Sequence, residues 1–153
     1  MRNKNKIIVA QLDQKLAPFV VSAKIPVPVR GWVHAIRTGL NMTMEQLGNK
    51  LSKTKQSIKK IEDSEAKGTV TINTLKEVAN ALDMQLVYGF APKNGSVKQL
   101  VHQKAERLAT KIVLRTHKNM QLENQAITDE KINQSIADLT EELKRELKKS
   151  LWD

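Results

Sequence analysis

Hydrophobic residues recur along this chain mostly every three or four positions, the spacing that places them on one face of an α-helix. The pattern predicts five short helices, over residues 7–20, 32–40, 44–51, 55–63 and 72–82. Two longer amphipathic helices follow, one from Val97 and one from Ile132, and we expect them to pack as a C-terminal helical hairpin. The fold class is therefore predicted to be mainly α.

One stretch departs from the helical pattern. Residues 84–91 alternate loosely and contain β-branched and aromatic side chains, which predicts one short strand. Because nothing else in the sequence is a convincing strand, we expect it to pair with its copy in a second subunit. The sequence thus predicts a homodimer.

Two prolines indicate a boundary near residue 29. Pro26 and Pro28 hold their neighbours extended, so residues 23–29 are predicted to be a stiff linker. We expect an N-terminal helix and linker over 1–29, a central domain with the short strand over 30–92, and a C-terminal helical extension for partner binding over 93–153.

The charge narrows the classes of partner. The 153 residues include 26 Lys and Arg against 16 Asp and Glu, a net charge of +10, and seven of the basic residues lie within 30–62. Such an excess favours a polyanion, nucleic acid first, or an acidic protein. No apolar run approaches the roughly 20 residues that a membrane span needs. We therefore expect a cytoplasmic protein with no membrane association.

Residues for catalysis or metal binding are scarce. Cysteine is absent, and His34, His102 and His117 are dispersed, with no acidic partner at metal-ligand spacing. The sequence also lacks a glycine-rich phosphate loop and a nucleophile elbow. We expect no catalytic residue, no metal and no cofactor, and thus no enzyme activity.

The most informative local pattern lies in residues 43–62. Thr43 and Gln46 form a capping box, and Thr54 begins a second helix eleven positions after Thr43. Small Gly48 would let the two helices approach closely. Apolar residues at helical spacing point inward, namely Leu47, Leu51, Ile58 and Ile61. The pattern predicts a helix, a tight turn and a second helix with a polar outer face.

Residues 31–82 resemble the Xre (Cro/repressor-like) helix-turn-helix family. The positions that fill the family's roles are Thr43, Glu45, Leu47, Leu51, Thr54, Lys55, Gln56, Ile58, Ile61 and Glu62. The resemblance implies a lambda-repressor-like core that binds DNA. Ser52 stands at the turn, where glycine adopts the left-handed conformation cheaply, which predicts local strain.

The outward face of the second helix carries the predicted DNA contacts. Gln56 suits adenine, and Lys55 or Lys59 suits guanine, in the major groove. We expect phosphate contacts from Thr43, Lys50, Lys53 and Lys60, while Thr54 and Ser57 complete the surface. The alternative is a basic amphipathic helix without any role in DNA binding.

Four flanking segments are similar to the family called mobile mystery protein A, over residues 12–19, 30–37, 64–75 and 81–88. Its members are typically encoded beside a Fic-domain protein. The resemblance therefore implies an antitoxin that represses its own operon and neutralises a Fic toxin.

The same resemblance directs attention to the Fic-inhibitory pattern, in which Ser or Thr is followed four positions later by Glu and then by Gly or Asn. Asn119, Glu123 and Asn124 are a near match, with Asn119 in place of the hydroxyl residue. In such systems the glutamate forms an ion pair with an arginine that would otherwise bind the ATP γ-phosphate.

Taken together, these patterns predict a homodimeric repressor that binds an inverted-repeat operator in double-stranded DNA. Two alternatives stay open. One is a protein-only antitoxin or adaptor with vestigial DNA binding, and the other is a nonspecific basic DNA-binding protein.

Overall fold

The protein is mainly α-helical, as the hydrophobic spacing predicts. The computed structural model describes residues 2–123 and 128–153, with side chains from residue 4 onward. Its helices are α1 (Arg2–Ser22), α2 (Trp32–Gly39), α3 (Met44–Leu51), α4 (Lys55–Lys67), α5 (Ile72–Ala81), α6 (Val97–Leu122) and α7 (Asp129–Glu146). A short 3-10 helix follows at Lys149–Trp152.

The chain divides into two compact units. One consists of Lys24–Tyr88 and contains α2 to α5, and we call it the central unit. The other joins residues 1–23 to residues 89–153, so that α1 groups with α6 and α7, and we call it the flanking unit.

The core of the central unit is aliphatic and draws one residue from each of α2 to α5, with one more directly after α5. Its buried members are Val33, Leu47, Ile58, Val78 and Leu82. Leu47 of α3 and Ile58 of α4 are completely buried, which agrees with their predicted inward positions. Burial of each such side chain contributes roughly 1.5–3 kcal/mol, so the core positions these helices against one another.

Threonine side chains determine where three of these helices begin. In the capping box before α3, the Gln46 N–H donates to Thr43 Oγ1 at 3.1 Å and the Thr43 N–H donates to Gln46 Oε1 at 2.8 Å. Thr54 Oγ1 accepts from the Ser57 N–H at 3.1 Å, and Thr71 caps α5 in the same way. Because these bonds satisfy otherwise unpaired N–H groups within one turn, the helix starts follow from the local sequence.

The turn between α3 and α4 leaves no room for a side chain at Gly48. A Cβ added there would lie 2.5 Å from the Lys53 carbonyl oxygen. The Lys53 N–H donates to the Gly48 carbonyl at 2.9 Å, which closes the turn. Ser52 has a φ of +53°, so the left-handed conformation predicted at this turn is confirmed. Because Ser52 has a Cβ, this backbone conformation is strained.

The strand predicted over residues 84–91 is wrong, because the described residues contain no strand. This segment runs without a helix, turn or bend, and the hydrogen bonds of the described residues do not involve the backbone of residues 85–91. A β-strand requires a hydrogen-bonded neighbour, and alternating side chains alone do not supply one.

The flanking unit is built on the predicted hairpin of α6 and α7. Ala105, Ala109 and Leu143 are buried between the two helices, and the alanines permit a close approach. Asp13 of α1 accepts the Val97 and Lys98 N–H groups at 2.6 and 3.1 Å. The first helix of the chain thereby caps α6, although Asp13 and Val97 are 84 positions apart in the sequence.

Membrane insertion was not expected from the sequence. Within residues 2–123 and 128–153, each helix lacks either the length or the apolar character needed to cross a bilayer.

We predict that Gly48→Ala lowers the free energy of unfolding by about 2 kcal/mol or more, because the added methyl group collides with a backbone oxygen that cannot move without opening the turn. Gly39→Ala is the matched control, since a Cβ at this helical position meets nothing within 4 Å. It should be neutral or stabilising by up to about 1 kcal/mol. Urea denaturation followed by circular dichroism measures both, and equal stability of the two variants would contradict the tight turn.

Candidate nucleic-acid interface

The first half of α4 presents a polar, basic face to solvent. Lys55, Gln56, Lys59 and Lys60 are all exposed, whereas Ile58 between them is buried. At 100° per residue, the four exposed positions fall within an arc of about 140° on one side of the helix. The structure therefore brings together the side chains predicted to contact DNA bases.

The remaining predicted contacts lie at both ends of α3, in the turn that follows it and in the first turn of α4. Lys50, Lys53, Thr43 and Thr54 are exposed, while Ser57 is only half-buried. Thr54 Oγ1 and Ser57 Oγ lie 3.0 Å apart, so one of these hydroxyls donates to the other. Thr43 accepts a helix N–H through its oxygen and keeps its own proton to donate.

The positive charge of this surface is not paired with a carboxylate in the part of the chain that the structure describes. The salt bridges of the described residues do not include any of the five lysines Lys50, Lys53, Lys55, Lys59 and Lys60. The partial positive charge at the start of α4 adds to theirs. We call this set, with Thr43, Thr54, Gln56 and Ser57, the α4 surface; its chemistry suits a polyanion with hydrogen-bonding groups.

A buried network holds the second half of α4 against α2. The Arg37 Nε–H donates to Glu62 Oε1 at 2.5 Å and an Nη2–H donates to Oε2 at 3.2 Å. The His34 Nδ1 lies 3.1 Å from the same Glu62 Oε2, and Arg37 Nη1 also donates to the Met42 carbonyl at 2.8 Å. Arg37 and Glu62 are only 7% and 3% exposed, so this is an interior ion pair.

A second carboxylate of α4 caps α2. Glu65 accepts the Trp32 N–H at 2.6 Å and the Val33 N–H at 3.0 Å. The N-cap residue of α2 is Gly31, which has no side chain to do this and has a φ of +87°. A Cβ at Gly31 would lie 2.7 Å from the Glu65 carboxyl carbon, so glycine is required for this approach.

The ionisation of Glu62 follows from these contacts. Burial raises the pKa of its carboxyl, but side-chain hydrogen bonds with Arg37 and His34, together with the electrostatic attraction of these two side chains, outweigh burial and hold the pKa below its ordinary value of 4.5. Glu62 is therefore charged at neutral pH and forms a true ion pair with Arg37.

This network was not predicted from the sequence, although a signal for it existed. Glu62 lies four positions after the buried Ile58, and Arg37 lies four positions after the buried Val33. A charged residue that continues the inward face of each of two helices indicates a buried pair. The partners themselves are 25 positions apart, so only the fold shows that they meet.

The residues predicted to inhibit a Fic protein lie at the end of α6. Asn119 is exposed in the last turns of the helix, and Glu123 is its exposed C-terminal cap. Four positions apart, these two residues share one face of the helix. Asn124 lies outside the described residues.

The histidines are dispersed in the structure, as in the sequence. His34 contacts Glu62, whereas His102 and His117 are half-buried on α6. In the part of the chain that the structure describes, no three His, Asp or Glu side chains are grouped to hold a metal ion.

Comparison with protein families identifies the central unit. Residues 33–88 match the profile of a family described as helix-turn-helix. The match covers α2 to α5, so the chain carries an Xre-like helix-turn-helix domain, and the predicted resemblance to that family is confirmed over this stretch. Comparison with curated proteins and with solved structures gave no match. The resemblance to mobile mystery protein A stays a prediction.

We predict that Glu62→Gln lowers the free energy of unfolding at pH 7 by about 3 kcal/mol, because it leaves the Arg37 charge buried without a carboxylate. The pKa of Glu62 is lower in the folded protein than in the unfolded chain, where it is near 4.5. The ionised carboxylate therefore contributes its full stabilisation above pH 4.5, and this stabilisation is lost as pH falls through the folded-state pKa. The difference between wild type and variant should therefore shrink below pH 4.5.

Urea denaturation at a series of pH values from 7 to 3 measures this difference. The control is Glu45→Gln, which removes an exposed carboxylate from the first turn of α3 and should cost less than about 0.5 kcal/mol. A stability difference that stays constant down to pH 3 would show that the charge of Glu62 does not carry it.

Proposed function

We propose that this chain, which carries an Xre-like helix-turn-helix domain over residues 33–88, is a sequence-specific DNA-binding transcription regulator. The observation that carries the proposal is the division of α4, whose first half is exposed and basic while Glu62 and Glu65 hold its second half against α2. We propose a binding protein rather than an enzyme.

The α4 surface matches the requirements of a DNA duplex. A major groove admits an α-helix, and its base edges offer acceptors to lysine and a paired donor and acceptor to glutamine. In our proposal Gln56 contacts adenine, Lys55 or Lys59 contacts guanine, and Thr43, Lys50, Lys53 and Lys60 contact phosphates. The phosphate contacts determine register and salt dependence, and the base contacts determine sequence preference.

A homodimer on an inverted-repeat operator is part of the proposal. One helix of this length reads only a few base pairs, and two copies would read half-sites roughly 34 Å apart. The exposed apolar side chains of Val87 and Tyr88, 70% and 60% accessible, support a contact between copies through the end of the central unit.

The finer proposal is that the protein represses its own operon and neutralises a Fic-domain toxin. Its support is the resemblance of the flanking segments to mobile mystery protein A and the exposed placement of Asn119 and Glu123 on one face of α6. A protein-only antitoxin and a nonspecific basic DNA-binding protein are the alternatives, and the two experiments below separate them.

We predict that Gln56→Ala and Lys59→Ala each weaken binding to the preferred DNA sequence by about 1–3 kcal/mol, because each removes hydrogen bonds to a base edge. The preferred duplex is obtained by selection from a random pool and by gel shift on the DNA upstream of the gene. Fluorescence anisotropy then compares it with a shuffled copy.

The matched control is Lys67→Ala, which removes an exposed lysine from the other end of α4 and should leave the sequence preference unchanged. If selection yields no preferred sequence, the protein is not a sequence-specific regulator. If both variants keep the full preference, other residues read the bases.

For the antitoxin, we predict that Glu123→Ala restores adenylylation and growth arrest when the variant is co-expressed with the Fic-domain protein encoded beside it. The reason is that no carboxylate then pairs with the arginine that binds ATP. Glu106→Ala, an exposed glutamate on the same helix, serves as the control and should inhibit like wild type. Full inhibition by the Glu123→Ala variant would show that Glu123 is not the inhibitory residue.

A further inference from the structure

A row of basic side chains runs along one side of α6. Its members are spaced three or four positions apart and are Lys104, Arg107, Lys111, Arg115 and Lys118. At 100° per residue they fall within an arc of about 80°, and at 1.5 Å per residue the row is roughly 21 Å long. We call this row the basic stripe.

Packing within the flanking unit does not account for the basic stripe. The inward face of α6 consists of Val101, Ala105 and Ala109, which are buried. Four members of the stripe are exposed and Lys104 is half-buried. No member takes part in a salt bridge of the described residues.

The acidic residues of the flanking unit show that the stripe is not an ordinary charged helix face. Glu106 is the single acidic residue of α6, and it lies about 140° around the helix from the centre of the stripe. On α7, by contrast, acidic and basic residues are mixed, and Lys144 donates to Glu141 at 2.9 Å. Like charges at three- and four-residue spacing repel and weaken a helix, so an unbalanced row of five indicates an anionic partner.

We propose that the basic stripe binds the phosphate backbone of duplex DNA, as a second and sequence-independent contact besides the α4 surface. A DNA strand is a continuous row of negative charges, one per 3.4 Å of axis, and cations spaced about 5–6 Å apart along one side of a helix can contact several of its phosphates at once. The stripe holds only lysine and arginine, whose charges attract phosphates whatever the base sequence.

Two other anionic partners fit less well. A helix that lies on a lipid surface needs a free apolar face separate from its charged face. The apolar face of α6 formed by Val101, Ala105 and Ala109 is buried, and the exposed Leu114 and Leu122 lie beside or within the stripe itself. An acidic protein would have to present carboxylates in a matching row, whereas any duplex presents its phosphates regularly. This inference rests on the proposed function only in that the partner is DNA.

The test neutralises the stripe and measures the salt dependence of binding. Arg107→Gln, Lys111→Gln, Arg115→Gln and Lys118→Gln are combined in one variant, because glutamine keeps a similar helix propensity. Binding to a 40-bp duplex of arbitrary sequence is measured by anisotropy between 50 and 200 mM KCl. The slope of log K against log salt is negative, and each lost phosphate contact makes it less steep by about 0.9. We therefore expect the slope of the variant to be less steep by about 3–4.

Two control variants separate local contacts from net charge. Lys15→Gln, Lys24→Gln, Lys93→Gln and Lys131→Gln together remove the same charge from dispersed exposed positions, and the slope should change by less than about 1. Arg107→Lys with Arg115→Lys keeps the charge and should keep the slope. Circular dichroism verifies that all variants are folded.

The inference is overturned if the stripe variant shows the slope of the dispersed-charge variant. It is also overturned if the stripe variant keeps its DNA slope but loses binding to phosphatidylserine vesicles. The α4 surface is tested separately. Gln56→Ala should reduce the preference for the preferred DNA over the shuffled DNA, whereas the stripe variant should weaken binding to both DNAs equally. A reduced slope without any sequence preference would support the stripe and refute the proposed regulator.

Discussion

Arg37 and Glu62 form an ion pair in the interior of the central unit, and the arrangement of the helix-turn-helix domain depends on it. A charged carboxylate with no partner is costly to bury, so Glu62 has to face α2, where Arg37 donates to it and His34 lies within hydrogen-bonding distance. This requirement restricts the rotation of α4 about its own axis. Once position 62 points inward, Lys55, Gln56 and Lys59 point outward, and the ion pair thereby determines which side chains can reach a partner.

The turn at Gly48 restricts the other freedom of α4, its approach to α3. The glycine lets the Lys53 carbonyl come close enough to close a tight turn, and Ser52 accepts a left-handed conformation to make that turn. The capping threonines before each helix then fix where the helices start. The rotation and approach of α4 are thus set by a few polar contacts around an aliphatic core.

The two basic surfaces differ in chemistry in a way that suits different tasks. The α4 surface combines lysines with Gln56 and with hydroxyl groups, which distinguish between base edges. The basic stripe on α6 consists of charge alone, which attracts any phosphate backbone. In our proposal the stripe binds duplexes generally and the α4 surface prefers one sequence.

The sequence by itself determined the features that arise within a few residues. The helix starts at Thr43 and Thr54 depend on hydrogen bonds three positions away, and the burial of Leu47 and Ile58 follows from helical spacing, so both features were predicted. The exposed lysines of α4 follow from the same spacing.

Only the tertiary structure decided which distant residues meet. Glu62 pairs with Arg37, which lies 25 positions away in the sequence, and Asp13 caps the start of α6, which lies 84 positions away. Residues 84–91 have the alternation of a strand but no neighbour to pair with in the described chain, so they form none. The physical reason is the same in each case: a hydrogen bond or ion pair needs two partners, and local sequence specifies only one of them.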